Sequence, residues 1–330
     1  MNIRNTGDLS TALANALTRF PADIDLVVGI PRSGLLAAGL FALYRNLPMT
    51  DLEGLLEGRL IGHGARLRDM PVEQVLAGAR RILVLDDSIN SGQTMHQARE
   101  VIANAALPAP VDFGVVYATE QSVGMVDHYC EIVPPPRAFS WNIMHHPLLQ
   151  RCCVDIDGVL CRDPSPAEND DGEAYLGFLA DADPVYLPDH HIGWLVTSRL
   201  EKYRKETMGW LARHGVKYGE LAMLDLPDKA TRQALGAHAA HKARVYRSTD
   251  ALLFIESEPV QAAEIARLSG RPVFCSQSQT VFDDVSTVAS ATRAASHYGA
   301  RLRRRAARAA RLLGLRRPGK DPRPGRGVRS

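Results

Sequence analysis

Strand-length apolar runs alternate with helix-period segments along most of this chain, and that alternation limits the fold more than any other feature. In the first half, buried strands are predicted for Ile24–Ile30, Arg81–Asp87, Val111–Ala118 and Tyr129–Val133. Helices are predicted after the first two of these strands, at Ser33–Arg45 and Gly92–Ala105. Strands that alternate with helices are typical of an α/β fold with a parallel sheet.

A second series of strands begins at Cys152, after a predicted linker at Met144–Gln150. The further strands are predicted at Ile192–Thr197, Leu252–Ile255 and Pro272–Cys275, and the helices at Glu201–His214 and Pro259–Ser269. A chain of 330 residues is long enough for two cores of ordinary size. We therefore expect two α/β domains, at residues 1–147 and 151–285, followed by a tail at residues 286–330.

The segment Ile82–Thr94 carries the clearest chemical pattern in the first half. Its apolar strand ends in two carboxylates, Asp86 and Asp87, and a polar loop then opens a helix. The loop residues that offer hydroxyl, amide or backbone N–H groups are Ser88, Asn90, Ser91, Gly92, Gln93 and Thr94. Such groups at a helix N-terminus can hold a phosphate dianion, and carboxylates accept hydrogen bonds from a vicinal diol. The combination suits a sugar phosphate.

This segment resembles the signature of the type I phosphoribosyltransferases, which consists of a strand, two acidic residues and a T/S-G-x-T loop. The resemblance implies that Asp86 and Asp87 contact the ribose hydroxyls of phosphoribosyl pyrophosphate (PRPP) and that the loop binds its 5-phosphate. Upstream, Val28–Gly34 is similar to the pyrophosphate loop of the family. There Arg32 would donate to the leaving pyrophosphate, beside Ser33 and Gly34.

Two further segments of the first half have two interpretations each. Glu57–Asp69 contains several basic residues and is either a loop that closes over PRPP, as in the family, or a solvated surface loop. Trp141 lies where purine-type family members line the acceptor pocket. It either contacts the acceptor or packs at the junction of the domains.

The second half opens with Val154-Asp155-Ile156-Asp157-Gly158-Val159-Leu160. Residues two apart in a strand face the same way, so Asp155 and Asp157 begin on one face. The pattern resembles the first motif of the haloacid-dehalogenase superfamily of phosphatases. That resemblance implies that Asp155 is the nucleophile that attacks phosphorus and that Asp157 is the general acid/base.

Later segments resemble the other motifs of that superfamily in order. Trp194–Arg199 ends in hydroxyl residues, of which Thr197 would bind the phosphoryl group. A lysine should neutralise the phosphoryl oxygens; Lys242 is the first choice and Lys229 the second.

The resemblance also implies an Mg²⁺ site, since carboxylate oxygens are the ligands that this ion prefers. The predicted metal ligands are Asp155, Asp157, Glu256 and Glu258. Glu replaces the usual Asp pair of the last motif, so an inactive pseudo-phosphatase is an alternative. The short interval between the first two motifs predicts a small cap.

The tail is strongly basic. Residues 301–330 hold twelve Lys or Arg against one Asp, a net charge of +11, whereas the whole chain carries +2. Residues 290–317 have a spacing that is compatible with a basic helix, which would lie on an anionic membrane surface, bind RNA or remain solvated. We favour the membrane and expect no nucleic-acid partner. No apolar run suits a signal peptide or a bilayer span, so we expect a cytoplasmic protein that is peripheral at the inner face of the membrane.

The two resemblances together imply a reaction sequence. The order of the domains is similar to that in bacterial dual-domain enzymes that install ribofuranose on surface glycans. We therefore predict transfer of 5-phosphoribosyl from PRPP to a lipid-linked glycan acceptor, followed by removal of the 5-phosphate, with Mg²⁺ as cofactor. The alternatives are purine-type nucleobase salvage with an attached phosphatase, and a PRPP-sensing regulatory protein that binds nucleic acid.

Overall fold

A computed structural model describes residues 1–63, 71–105 and 107–283 of the protein. The predicted basic helix and tail at 286–330 lie outside the described residues, as do Arg66 and Arg68 of the basic loop. Within the described part, none of the helices is long and apolar enough to cross a bilayer.

The first half of the chain folds around a five-stranded parallel sheet with the order β3-β2-β4-β5-β6. Its elements are β1 (Asn2–Arg4), α1 (Thr6–Ala16), β2 (Leu26–Gly29), α2 (Ser33–Arg45), β3 (Met49–Asp51), α3 (Leu52–Leu56), α4 (Val72–Ala77), β4 (Ile82–Ser88), α5 (Gln93–Ala103), β5 (Val111–Ala118), β6 (His128–Ile132) and β7 (Arg137–Phe139). Strands β2 and β4 are buried on both faces because helices cover the sheet on either side.

The second half folds around a six-stranded sheet with the order β10-β9-β8-β11-β12-β13, in which only the pairing of β12 with β13 is antiparallel. Its elements are β8 (Cys152–Val154), α6 (Glu173–Asp181), β9 (Ile192–Leu200), α7 (Arg204–Arg213), β10 (Tyr218–Leu224), α8 (Lys229–Ala234), α9 (Ala237–Ser248), β11 (Leu253–Glu256), α10 (Pro259–Ser269), β12 (Val273–Cys275) and β13 (Thr280–Phe282). The α/β class that the sequence predicts is thus the observed one.

The helices and strands with clear periodicity lie close to their predicted positions, and α2, β5 and α10 match residue for residue. Several elements were not predicted: α1 and α6 were missed although each buries three apolar side chains, whereas β10 and α9 have weak apolar signals. Strand β10 lies at the edge of its sheet and leaves its first residues exposed, and the polar helix α9 buries His241 and Lys242 as well as apolar groups. Burial of a polar face is not visible in an apolar pattern.

The junction between the two sheets is packed. The predicted linker forms short 3-10 turns at Ile143–His145 and Pro147–Arg151, in which Ile143, Met144 and Leu149 are buried. Strands β1 and β7 pair in parallel beside this junction. Ile3 and Ala138, on those two strands, belong to the apolar core of the second sheet. The two halves therefore share a core at this point.

Candidate active sites

A polar cavity of about 220 Å³ lies at the carboxyl end of β4. Strand β4 ends at Ser88, and α5 begins at Gln93 with Gly92 as its N-cap. The cavity is lined by Asp86, Ser88, Ile89, Asn90, Ser91, Gly92, Gln93, Thr94 and Met95. All six predicted loop residues are in this set, so the structure brings them together around a single space at the N-terminus of a helix, where anions are stabilised.

The two carboxylates at the end of β4 diverge, because consecutive strand residues face opposite ways. Asp86 lines the cavity. Asp87 accepts hydrogen bonds from the Ser33 hydroxyl and the Trp141 indole N–H, each at 2.8 Å. Burial, with the charge of Asp87 adding to it, raises the pKa of Asp86 to about 8. The predicted acidic pair is therefore one cavity-facing acid and one acid that ties together two other segments.

The predicted pyrophosphate loop docks directly against β4. A Cβ atom at Gly34 would lie 2.8 Å from Asp86 Oδ1 and 2.9 Å from the carbonyl oxygen of Leu85, so only glycine permits this approach. Arg32 precedes α2, is exposed and is not among the residues that line the cavity. The peptide bond between Pro31 and Arg32 is cis.

Trp141 belongs to a stack of aromatic rings beside the first site. Its ring lies 5.0 Å from that of Phe139 with an interplanar angle of 14°, and Phe139 stacks in turn on Tyr117 at 5.3 Å. The indole N–H is directed at Asp87. Trp141 therefore packs against the apolar core of the first sheet, beside the acidic strand end, and its contact with an acceptor stays a prediction.

A second polar cavity, of about 270 Å³, lies at the carboxyl end of β8. It is lined by Asp155, Asp157, Asp163, Pro164, Asn169, Tyr175, Ser198, Arg232, His238, Lys242, Glu256, Ser257, Glu258 and Gln261. The segment between β8 and β9, which contains helix α6, contributes four of these lining residues, namely Asp163, Pro164, Asn169 and Tyr175. A left-handed Gly158 turns the chain from β8 into this segment.

Lys242 joins two acids across the second sheet. Its ammonium donates to Asp155 Oδ2 at 2.6 Å and to Glu256 Oε2 at 2.7 Å. Burial works against this charge, but the two carboxylates outweigh it and raise the pKa of Lys242. Lys229, the other candidate, donates to the carbonyl oxygen of Asn169 instead. Only Lys242 is thus in contact with the predicted nucleophile.

The second oxygen of Asp155 is free. Asp155 Oδ1 is buried and has no hydrogen-bond partner within the described chain. Burial raises the pKa of Asp155 well above its ordinary value, although Lys242 acts in the opposite direction. An unpartnered buried oxygen is costly, so its retention here indicates a position meant to receive a ligand.

Asp157 is held by an arginine that the sequence interpretation did not single out. Arg199, on β9, donates to Asp157 through Nε at 3.1 Å and through Nη2 at 2.6 Å. The arginine side chain is completely buried, and its ion pair with Asp157 raises its pKa although burial opposes the charge. An arginine directly after the two hydroxyl residues was the only sequence signal for this contact.

Thr197 does not reach the second cavity. Its hydroxyl oxygen accepts a hydrogen bond from the backbone N–H of Arg199 at 3.2 Å, and its side chain is fully buried. Ser198 lines the cavity instead. Neighbouring strand residues point to opposite faces, so only one of these two adjacent hydroxyl residues lies on the side of β9 that lines the cavity.

The four predicted metal ligands do not fit a metal ion in this arrangement. Lys242 binds Asp155 and Glu256, Arg199 binds Asp157, and the Glu258 carboxylate caps α10 by accepting from two backbone N–H groups at 3.1 and 2.8 Å. Among residues 1–63, 71–105 and 107–283, no group of three or more His, Cys, Asp or Glu side chains is placed to hold a metal. The cations that the structure places against Asp155, Asp157 and Glu256 are the side chains of Lys242 and Arg199.

Comparison with known proteins bears on the first half. No family model matches the chain. A 97-residue match to the amidophosphoribosyltransferase of Synechocystis sp. has 36% identity and covers 26% of this chain and 19% of the relative. A 95-residue match to the enzyme of the same name from Pyrococcus horikoshii has 37% identity and covers 26% and 20%. The chain thus spans about a fifth of the length of these curated relatives.

Two of the solved structures that the comparison with this chain returned are phosphoribosyltransferases. The Helicobacter pylori xanthine-guanine-hypoxanthine phosphoribosyltransferase has a TM-score of 0.32 at 13% identity, over 43% of this chain and 92% of that one. The purine phosphoribosyltransferase from Pyrococcus horikoshii has a TM-score of 0.31 at 16% identity, over 43% and 94%. The sequence matches show that about a quarter of this chain, in its N-terminal region, is similar to part of the amidophosphoribosyltransferases.

Proposed function

We propose that this protein transfers a 5-phosphoribosyl group from PRPP to a hydroxyl of a glycan, which is lipid-linked, and then removes the 5-phosphate. The observation that carries the proposal is the presence of two separate polar cavities, one at the carboxyl end of β4 and the other at the carboxyl end of β8, in two different sheets. A phosphatase in the same chain would undo the purpose of nucleotide salvage, whereas it completes the synthesis of a plain ribofuranoside. The proposed domains are residues 1–147 and 151–285.

The first step is a substitution at the anomeric carbon of PRPP. The acceptor oxygen forms the new bond, the bond to pyrophosphate breaks, and the electron pair leaves with pyrophosphate while the hydroxyl proton passes to solvent. The loop from Ser88 to Thr94 would hold the 5-phosphate and Asp86 a ribose hydroxyl, with Arg32 at the pyrophosphate. Mg²⁺, the proposed cofactor, would add positive charge at the pyrophosphate oxygens.

The second step is hydrolysis of the 5-phosphate through a phospho-aspartate. Asp155 Oδ1, the oxygen without a partner, attacks phosphorus, and the bond to the sugar oxygen breaks. Asp157, oriented by Arg199, donates a proton to the departing sugar oxygen. It then takes a proton from the water that attacks phosphorus, which breaks the bond to Asp155, releases inorganic phosphate and restores both acids. Lys242 stays beside the attacked centre and offsets the charge that accumulates there.

The variant Asp155→Asn tests this scheme. The wild-type protein, given PRPP, Mg²⁺ and a competent acceptor, should yield a ribosylated product without phosphate. The variant should accumulate the same product with its 5-phosphate, as mass spectrometry would show. Asp250→Asn, at an exposed aspartate of the same half, serves as the matched control and should behave as wild type.

A panel of acceptors distinguishes the proposal of a glycan acceptor from the alternative of a nucleobase acceptor. Lipid-linked glycans, free glycans and purine bases are each incubated with the Asp155→Asn variant and PRPP. Consumption of a purine base and release of a nucleotide would favour the salvage alternative. If the wild type and Asp155→Asn release identical phosphorylated products, the two-step scheme is wrong.

A further inference from the structure

The second cavity contains one cation with an uncommitted donor. The Lys and Arg residues that line it are Lys242 and Arg232. The ammonium of Lys242 already donates to Asp155, to Glu256 and, at 3.4 Å, to Gln261, which accounts for its three N–H groups. Arg199 is committed to Asp157 in the same way. An arriving phosphate dianion therefore needs a donor from elsewhere.

Arg232 meets that need by its position. It lies on α8, only 8% of its surface is exposed, and its Nη1 donates to the carbonyl oxygen of Ser198 at 2.8 Å. Its Nε is buried and has no hydrogen-bond partner within the described residues. A guanidinium with one anchored nitrogen and one unpaired nitrogen is oriented for a ligand, since an unpaired buried donor is unfavourable otherwise.

Ser198 offers a second uncommitted group at the same wall. It is 9% exposed, it lines the cavity, and its hydroxyl is buried without a partner in the described chain. The Arg232 contact to the Ser198 carbonyl holds the two residues together. A hydroxyl beside a guanidinium is suited to oxygens of a tetrahedral oxyanion.

Most acids of the cavity have a partner of their own. Asp155 and Glu256 share the single charge of Lys242, and Asp157 pairs with Arg199. Asp163 also lines the cavity, and burial raises its pKa, which favours its neutral form. The carboxylate of Glu258 is directed at the backbone N–H groups of α10. Arg232 Nε, Ser198 Oγ and Asp155 Oδ1, on three residues that line the cavity, are buried atoms without a hydrogen-bond partner in the described chain.

We propose that Arg232 and Ser198 together bind the phosphoryl oxygens of the substrate and present the phosphorus atom to Asp155 Oδ1. The ligand class is a phosphate monoester dianion, or inorganic phosphate as the product. This proposal deepens the proposed phosphatase step and rests on it for the identity of the ligand. It gives a binding role to a residue of α8 that no sequence motif marked.

Binding of inorganic phosphate to the full-length protein tests the proposal directly. Isothermal titration compares wild type with Arg232→Gln, Arg232→Lys and Ser198→Ala. Loss of a charge-assisted donor should weaken phosphate binding about tenfold to a hundredfold in Arg232→Gln. Arg232→Lys should be intermediate because it keeps the charge but loses the fork. Arg247→Gln, at an exposed arginine of α9, is the matched control and should bind as wild type.

Hydrolysis of ribose 5-phosphate gives an independent measurement. Arg232→Gln and Ser198→Ala should raise KM more than they lower kcat. Ser198→Ala removes a hydroxyl that bonds to nothing in the described chain, so it keeps the test valid if Arg232→Gln fails to fold.

The possible outcomes separate the two proposals. Unchanged phosphate affinity and KM in both Ser198→Ala and a folded Arg232 variant would overturn the binding role, as would a wild type that binds no phosphate. A wild type that binds phosphate through Arg232 but hydrolyses no phosphomonoester would support the anion site and sink the phosphatase step.

Discussion

Replacing Lys242 by Met should destabilise the second half of the protein in a manner that depends on pH. The lysine side chain is 2% exposed and lies between Asp155, at 2.6 Å, and Glu256, at 2.7 Å. Methionine fills similar space, so the loss comes from charge rather than from a cavity. Two buried carboxylates would be left without their cation.

The structure sets the expected magnitude. Removal of one member of a buried ion pair costs about 3–5 kcal/mol in free energy of unfolding, because the remaining charge is uncompensated. In the variant, the native pKa of Asp155, already raised by burial, should rise further. A carboxyl whose native pKa exceeds its unfolded value of about 3.9 loses stability as pH rises between the two values. The loss should therefore be greater at pH 8 than at pH 5.

Urea denaturation at both pH values measures this effect. Tryptophan fluorescence is a suitable signal because Trp194 on β9 and Trp210 on α7 lie in the second half. Lys205→Met, at an exposed lysine of α7, is the matched control and should change the free energy of unfolding by less than about 0.5 kcal/mol. Adding Glu256→Gln to Lys242→Met should recover part of the loss, since it leaves a single buried acid.

The reasoning fails if Lys242→Met and Lys205→Met have the same stability. It also fails if the loss in Lys242→Met is equal at pH 5 and pH 8, because the destabilisation would then not arise from ionised carboxylates. A double variant less stable than Lys242→Met alone would contradict the charge argument as well.

Two further predictions concern ligands. Burial raises the pKa of Asp86 to about 8, so its ionised fraction, and with it the acceptance of a ribose hydroxyl, should increase as pH rises. The KM for PRPP should therefore fall about a hundredfold from pH 6 to above pH 8. Asp86→Asn should abolish this pH dependence, and an unchanged profile in the variant would refute the assignment. Deleting residues 290–330 removes thirteen Lys or Arg and one Asp, which changes the net charge from +2 to −10. Sedimentation with anionic vesicles should therefore weaken, more so at low salt, while both reaction steps persist because both cavities lie outside this segment. Equal sedimentation of both proteins would exclude a membrane role.

The local sequence was enough to predict the helices and strands with clear periodicity and the strand ends that carry acidic residues. Runs such as Ile82–Ser88 are apolar up to a pair of acids, and the carboxyl end of such a strand is the edge of a parallel sheet at which ligands bind. The positions of the first cavity and of Asp155 at a strand end follow from this pattern alone. Periodicity is a short-range property, so it is readable without the fold.

Tertiary structure decided which side chains line each cavity and which contact its acids. The choice of Lys242 over Lys229 depends on how α9 packs on the sheet, and the two partners of this contact, Lys242 and Asp155, are 87 residues apart in sequence. The bond from Trp141 to Asp87 depends likewise on distant segments.

The sequence also could not predict that Ser198, rather than Thr197, lines the second cavity, or that Arg232 does. Adjacent hydroxyls differ only in the face of β9 on which they lie, and Arg232 reaches the cavity only because α8 packs against the end of that strand. Side-chain direction and helix packing come from the burial of apolar surface across the whole sheet. A motif therefore locates the residues that can do chemistry, whereas the packed core determines which of them face the ligand.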